Sequence, residues 1–139
     1  MVSALSSRGG TTALGHGKPV ETVGRLQVTL PYEMAVNGLN YSHFFLGGLH
    51  SAYVRGEAFI VAHRYAEAAV EFQKILDHRG IVGLDPIGAQ AHVQLGRALA
   101  FSGEKAKAKA AYEAFLALCK DADVEVPILK TAKAEYARL

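Results

Sequence analysis

The chain has 139 residues, of which 50% are hydrophobic and 20% are charged, a balance typical of one soluble globular domain and not of a disordered chain. Its formal net charge is only +2, which is too small by itself to indicate binding to nucleic acid or to an anionic membrane. Cys119 is the only cysteine, so the chain can form neither an internal disulfide nor a cysteine-based metal cluster.

Residues 1–50 form a glycine-rich N-terminal segment. They contain eight of the 14 glycines, so we expect this segment to be irregular or a degenerate helical copy. Its first residues lack the apolar run of a secretory signal. The most apolar stretch, residues 39–62, is interrupted by His43, His50, Arg55 and Glu57, and it therefore predicts no transmembrane segment.

An apolar cluster lies at the end of this segment. Its members are Tyr41, Phe44, Phe45, Leu46 and Leu49. One interpretation is that the cluster packs on the following helices and completes their core. The other is that it is an interface patch for a partner or for self-association, because helical arrays have open apolar ends that need a cover.

Residues 51–120 contain two similar segments at an offset of 40 residues. The matched pairs include Gly56 with Gly96, Phe59 with Leu99, Ala68 with Ala108, Phe72 with Tyr112 and Leu76 with Leu116. In each segment the apolar residues recur at helical spacing. Self-similarity at a fixed offset predicts a repeat architecture, with one helical repeat over 51–80 and a second over 86–120.

The sequence also predicts how these helices begin and end. Gly80 is expected to end the first repeat as a left-handed residue, and Asp85-Pro86 to begin the second as N-cap and first helical position. Gly103 marks the turn within the second repeat. Pro127 begins a predicted capping helix over 127–138, whose apolar side would cover the exposed repeat face.

The repeated residues resemble the tetratricopeptide repeat, a family built from pairs of antiparallel helices. Gly56 and Gly96 match its glycine in the first helix of each pair, where a side chain would push the helices apart. Phe72 and Tyr112 match its following aromatic residue. The chain departs from the family at Arg55, where a leucine is usual, and its period of 40 exceeds the family's period of about 34 residues.

The C-terminal half also resembles the repeat segments at the ends of large bacterial regulators such as serine/threonine protein kinases. The chain carries no glycine-rich kinase loop and no catalytic HRD or DFG sequence. Only the binding role of such a segment is therefore expected here. We predict that the protein is not an enzyme.

In the resembling family, the first helix of each pair lines a concave surface that binds partner segments. The positions that this implies are Tyr53, Glu57, Ile60, Val61, Gln90, Val93, Arg97 and Phe101. A mixed apolar and charged surface of this kind suits a peptide or a helix. Alternatively, the N-terminal segment or the C-terminal helix fills it. The family's carboxylate-binding residues match here at Arg97 alone.

Six histidines raise the question of a metal site. Their positions are His16, His43, His50, His63, His78 and His92. None forms a pair four residues apart and no HExxH motif occurs, so we expect no metal and no cofactor. Cys119 lies on the apolar side of its helix and is expected to be a core residue.

Together these patterns predict an all-α fold, a short right-handed solenoid of about two helix pairs with a C-terminal cap over 51–139. The predicted function is a non-catalytic protein–protein interaction module in the bacterial cytoplasm, with no nucleic acid partner. One alternative is an accessory subunit held in a larger assembly through the apolar N-terminal third. The other is a metal-binding protein or small enzyme.

Overall fold

The computed structural model describes residues 18–32, 49–82, 86–122 and 126–139. Every regular element in these ranges is helical, which confirms the predicted all-α class at that level. The helices are α1 (Pro19–Leu26), α2 (His50–Val61), α3 (Tyr65–Asp77), α4 (Arg79–Val82), α5 (Ile87–Phe101), α6 (Lys105–Leu118) and α7 (Pro127–Tyr136), with a 3-10 helix at Gln27–Tyr32 after α1.

Helices α2 and α3 form one antiparallel hairpin, and α5 and α6 form another. In the first hairpin the Tyr53 ring packs edge-on against Phe72, with centroids 5.6 Å apart, and Arg55 bonds to Glu71 across the same interface. Helix α3 packs along α5, and α2 also touches α5. Helix α3 therefore packs against both α2 and α5 and joins the two hairpins.

Each hairpin has a glycine in its first helix that lies directly against an aromatic ring of its second helix. A Cβ atom added at Gly56 would lie 2.7 Å from Cζ of Phe72, and one added at Gly96 would lie 2.7 Å from Cε2 of Tyr112. Both distances are well below ordinary van der Waals contact. The ring of the second helix thus occupies the space that a side chain on the first helix would need.

The first helix of each hairpin ends in the same turn. His63 and Gly103, which are 40 residues apart, both have positive φ, 59° and 87°. Each turn closes with the two nested backbone hydrogen bonds of a Schellman motif. In the first turn, His63 N–H donates to Ile60 O at 3.0 Å and Arg64 N–H donates to Phe59 O at 2.8 Å. In the second turn, Gly103 N–H donates to Ala100 O at 3.1 Å and Glu104 N–H donates to Leu99 O at 2.9 Å.

Replacing His63 with glycine is expected to stabilise the protein by about 0.5–1 kcal/mol. The left-handed conformation is strained for a residue that has a Cβ atom, and glycine removes this strain. Glycine also favours the unfolded chain through its greater backbone freedom, but this opposing effect is smaller. The lost contact, His63 Nδ1 to Tyr65 Oη at 2.6 Å, is exposed. Urea unfolding would measure the change, and Gly103→Ala should shift stability in the opposite direction. A loss of stability in His63→Gly would contradict the argument.

The connection between the hairpins differs from the prediction at Gly80. Helix α3 ends at Asp77, and the imidazole of His78 donates to the Lys74 carbonyl at 2.8 Å. This bond satisfies one of the last carbonyls of α3. Gly80 instead lies inside the short helix α4, and among the described glycines only Gly103 has positive φ. Asp85 lies outside the described residues.

The two ends of the described chain are packed in different ways. Helix α1 lies against α2, with Thr22 and Leu26 fully buried. Helix α7 begins at Pro127 and places Leu129 and Ala132 against the core of the second hairpin. The described part of the N-terminal segment is thus helical, and α7 covers the last hairpin.

Candidate functional site

One side of α2 and α5 carries nearly all the residues that the sequence suggested for partner binding. We call this surface the A face, defined by Tyr53, Glu57, Ile60, Val61, Gln90, Gln94, Arg97 and Phe101. Positions 53, 57 and 61 follow one another at one-turn spacing on α2 and so share a side. The side chains of Val61 and Phe101 are 52% and 60% exposed, and the others are half-buried.

Val93 does not belong to the A face, and its prediction as a partner contact is wrong. Only 1% of the residue is exposed. It packs in the cluster that contains Phe115 and Leu129, so the second helix of the hairpin and the capping helix cover it. Position 94, not position 93, presents its side chain to the other helix of the A face.

Gln94 joins the two helices of the A face, and sequence reasoning did not single it out. Its amide nitrogen donates to Oε1 of Glu57 at 3.1 Å and to Oη of Tyr53 at 3.3 Å. Its amide oxygen accepts from Arg97 at 3.3 Å. The only sequence signal was its spacing from two predicted contact residues. Gln94 lies four residues after Gln90 and three residues before Arg97, and this spacing puts all three on one side of α5.

Arg97 binds the capping helix. Its Nε lies 3.0 Å from both carboxylate oxygens of Glu135, and its Nη2 lies 2.9 Å from Oε1. The hydroxyl of Tyr112 donates to Oε2 of the same carboxylate at 2.7 Å. Burial, followed by this bond to Glu135, raises the pKa of Tyr112, so its hydroxyl stays a donor. Arg97 therefore holds α7 in place and its charge is already balanced.

Glu57 is the acidic group of the A face that has no cationic partner among the described residues. No lysine, arginine or histidine nitrogen of these residues forms an ion pair with its carboxylate. Burial raises the pKa of Glu57, and the hydrogen bonds with Tyr53 and Gln94 and the charge of Arg97 do not fully offset this effect. The network of Glu57, Arg97 and Glu135 therefore carries one uncompensated negative charge when all three groups are ionised.

The raised pKa of Glu57 gives a pH-dependent stability. Since the folded state holds this proton more tightly than the unfolded state, the contribution to stability is fully present below the ordinary glutamate pKa of about 4.3. It is lost as the pH rises through the folded-state pKa. We therefore expect Glu57→Gln to be more stable than the wild type at neutral pH, by less than about 1 kcal/mol.

Urea unfolding of Glu57→Gln and the wild type at neutral and acidic pH would measure this difference, which should disappear in acid. Glu67→Gln is a suitable control of opposite sign, because its bond to Arg64 lowers the pKa of Glu67. A Glu57→Gln protein that is less stable than the wild type at neutral pH would show that the carboxylate is stabilised by its surroundings.

The A face has an apolar edge where its two helices end. Val61 and Phe101 are the last residues of α2 and α5 and are equivalent in the two hairpins. The ring of Phe101 stacks at a tilt on Tyr65, with centroids 5.1 Å apart. Although Phe101 has this neighbour, most of its surface remains accessible, so the edge can accept further apolar contact.

The predicted interface patch falls mostly outside the described residues. Tyr41, Phe44, Phe45 and Leu46 are in residues 33–48, which the structure does not describe. Leu49 is buried and belongs to the core cluster that the two hairpins share. At this one position the structure agrees with the packing interpretation and not with an exposed patch.

A groove of about 840 Å³ lies between α3 and α6. It is lined mainly by small and apolar side chains, including Ala69, Val70 and Leu99. A second cavity of about 350 Å³ lies beside His92 and Cys119. Within the described ranges, no three histidine, cysteine or acidic side chains are grouped as metal ligands would be.

Comparison of the chain with protein-family models, with curated proteins and with solved structures gave no match. None of the described helices combines the length and the apolar character that crossing a membrane requires.

Proposed function

We propose that this protein is a non-catalytic protein–protein interaction module of the tetratricopeptide type that acts in the cytoplasm and binds a partner segment on its A face. The repeated contacts support the architecture. Gly56 against Phe72 and Gly96 against Tyr112 are the same glycine–aromatic pair at an offset of 40 residues, and both hairpins turn through the same Schellman motif.

The composition of the A face supports the binding role. It combines exposed apolar side chains, Val61 and Phe101, with a polar centre at Tyr53, Glu57 and Gln94. Interfaces that bind a protein segment commonly have aromatic anchors surrounded by such polar groups. The exposure of Phe101, an aromatic residue at the edge of a polar network, is the observation that carries the proposal.

The test is to select peptides from a displayed library of random sequences on the full chain and to measure their affinity by fluorescence anisotropy. Phe101→Ala should weaken binding by about 30-fold, the effect of a typical anchor residue. Val70→Ala is the matched control, because Val70 is a similarly exposed apolar residue, at 64%, in the groove between α3 and α6. Equal effects of the two substitutions, or none, would contradict binding at the A face.

A second candidate function is an accessory subunit held in a larger assembly. The observation that favours it is the set of exposed apolar residues Val20, Val28 and Leu30 in α1 and the 3-10 helix. Exposed apolar groups at the end of a helical array commonly mark a contact with another chain. Light scattering coupled to size-exclusion chromatography would separate the two candidates, since a stable monomer favours the transient binding module.

A further inference from the structure

We propose that the partner segment is extended and carries a lysine or arginine that pairs with Glu57. The segment also carries a large apolar residue that packs on Val61 and Phe101, and one residue separates this apolar residue from the basic one. This inference depends on the proposed function and specifies the chemistry of the partner. It follows from three observations on the A face: an unbalanced charge, a neighbouring apolar edge and the distance between them.

The unbalanced charge selects a cationic group. Glu57 is half-buried and accepts a bond from Gln94, and it has no ion pair among the described residues. Arg97, the cation of the A face, is engaged on both carboxylate oxygens of Glu135. A ligand that carries a carboxylate would therefore be repelled by the Glu57 carboxylate, because Arg97 is already engaged by Glu135. Such repulsion between like charges is strong in a partly buried site.

A cationic side chain would replace part of the solvation that Glu57 has lost. Arginine and lysine can both donate to the Glu57 carboxylate, beside the bond that it accepts from Gln94, and arginine could also stack on the nearby Tyr53 ring. The desolvation that raises the pKa of the Glu57 carboxyl disfavours its ionised form, and a bound cation would reverse this effect. The pair would thus form when the partner binds and would be stronger than an exposed surface pair.

The apolar edge determines where the apolar residue of the partner segment lies relative to its basic residue. Glu57 and Val61 are four residues apart on α2, which corresponds to about 6 Å along the helix axis. In an extended peptide, alternate residues point to the same side and lie about 6.6 Å apart. A segment lying along α2 therefore places its basic residue at Glu57 and its apolar residue at Val61 when one residue separates them, in whichever direction the segment runs.

The sequences of peptides selected from the random library test this inference. We expect the peptides whose binding depends on Phe101 to be enriched in lysine or arginine one residue away from a large apolar residue. For such a peptide, Glu57→Gln should weaken binding about tenfold. Replacing the basic residue of the peptide with norleucine should remove most of that difference, because the charge pair is then absent from both complexes.

A second variant, Glu57→Lys, should select peptides that carry an acidic residue at the same position. Circular dichroism and urea unfolding would establish that both variants are folded before their affinities are compared. Affinity for the basic peptides should also fall as salt is added, since screening weakens the charge pair.

The outcomes separate this inference from the proposed function. Peptides that depend on Phe101 but show no enrichment of basic residues, or that bind Glu57→Gln as well as the wild type, would overturn the charge pairing and leave the binding module intact. A library that yields no peptide dependent on Phe101 would overturn the proposed function itself, and the charge pairing with it.

Discussion

Replacing Glu71 with alanine is expected to destabilise the protein by about 3–5 kcal/mol, the usual effect of removing one partner of a buried ion pair. Arg55 is only 2% exposed. Its Nη2 lies 2.7 Å from Oε2 of Glu71, and its Nη1 donates to the Leu26 carbonyl at 3.3 Å. Without Glu71, the guanidinium would remain inside the hairpin without that carboxylate, at the point where α1 docks on α2.

The second hairpin supplies the control for this substitution. The residues equivalent to Arg55 and Glu71 are Leu95 and Ala111, both buried, so the same fold position accepts an apolar pair. We therefore expect the double variant Arg55→Leu with Glu71→Ala to be far more stable than Glu71→Ala alone, because the buried guanidinium is removed together with its carboxylate.

A double-mutant cycle by urea unfolding would measure the coupling between the two positions. The loss in Glu71→Ala is large compared with a total stability of about 5–15 kcal/mol for a domain of this kind, so the shift in midpoint should be plain. A loss below about 1 kcal/mol would show that water or another group balances the guanidinium.

The sequence predicted the parts of the fold that depend on short-range pattern. The helical periods located the helices of the two hairpins, and the 40-residue offset matched Gly56 with Gly96 and Phe72 with Tyr112. The turn at Gly103 was also predicted. Lys105, Lys107 and Lys109 alternate with alanines in α6, so successive lysines point to different sides of the helix. All three are exposed in the structure, and Lys107 pairs with Glu104 at the helix start.

The contacts of the A face could not be predicted in the same way, because they join residues far apart in sequence. Arg97 was expected to be available to a partner, but Glu135, 38 residues later, binds it. Val93 was expected to be accessible, but the capping helix covers it. In both cases the pattern placed the residue on α5 and could not show which neighbouring helix would meet it.

Charge balance was likewise not visible in the sequence. The net charge of +2 gives no sign that one half-buried carboxylate lacks a cation. That property of Glu57 follows from the bidentate bond between Arg97 and Glu135, which only the packing of α7 on the second hairpin creates. The docking of the capping helix thus determines the charge that the A face presents.

Replacing Gly96 with alanine is expected to destabilise the protein by about 1–3 kcal/mol, although alanine is the better helix former by about 1 kcal/mol. The added Cβ would lie 2.7–2.9 Å from three ring atoms of Tyr112. That ring is buried, and its hydroxyl is bonded to Glu135. The ring therefore cannot move aside without breaking the bond that holds α7.

Two further glycines give the comparison. At Gly56 an added Cβ would meet Phe72 just as closely, but phenylalanine has no hydroxyl bond to lose, so Gly56→Ala should cost less than Gly96→Ala. At Gly24 in α1 nothing lies within 4 Å of an added Cβ, so Gly24→Ala should stabilise by about 0.5–1 kcal/mol. Urea unfolding of the three variants would measure these differences. A Gly96→Ala protein as stable as Gly24→Ala would contradict the close approach of α5 and α6, because both substitutions add the same methyl group to a helix and only the space around it differs.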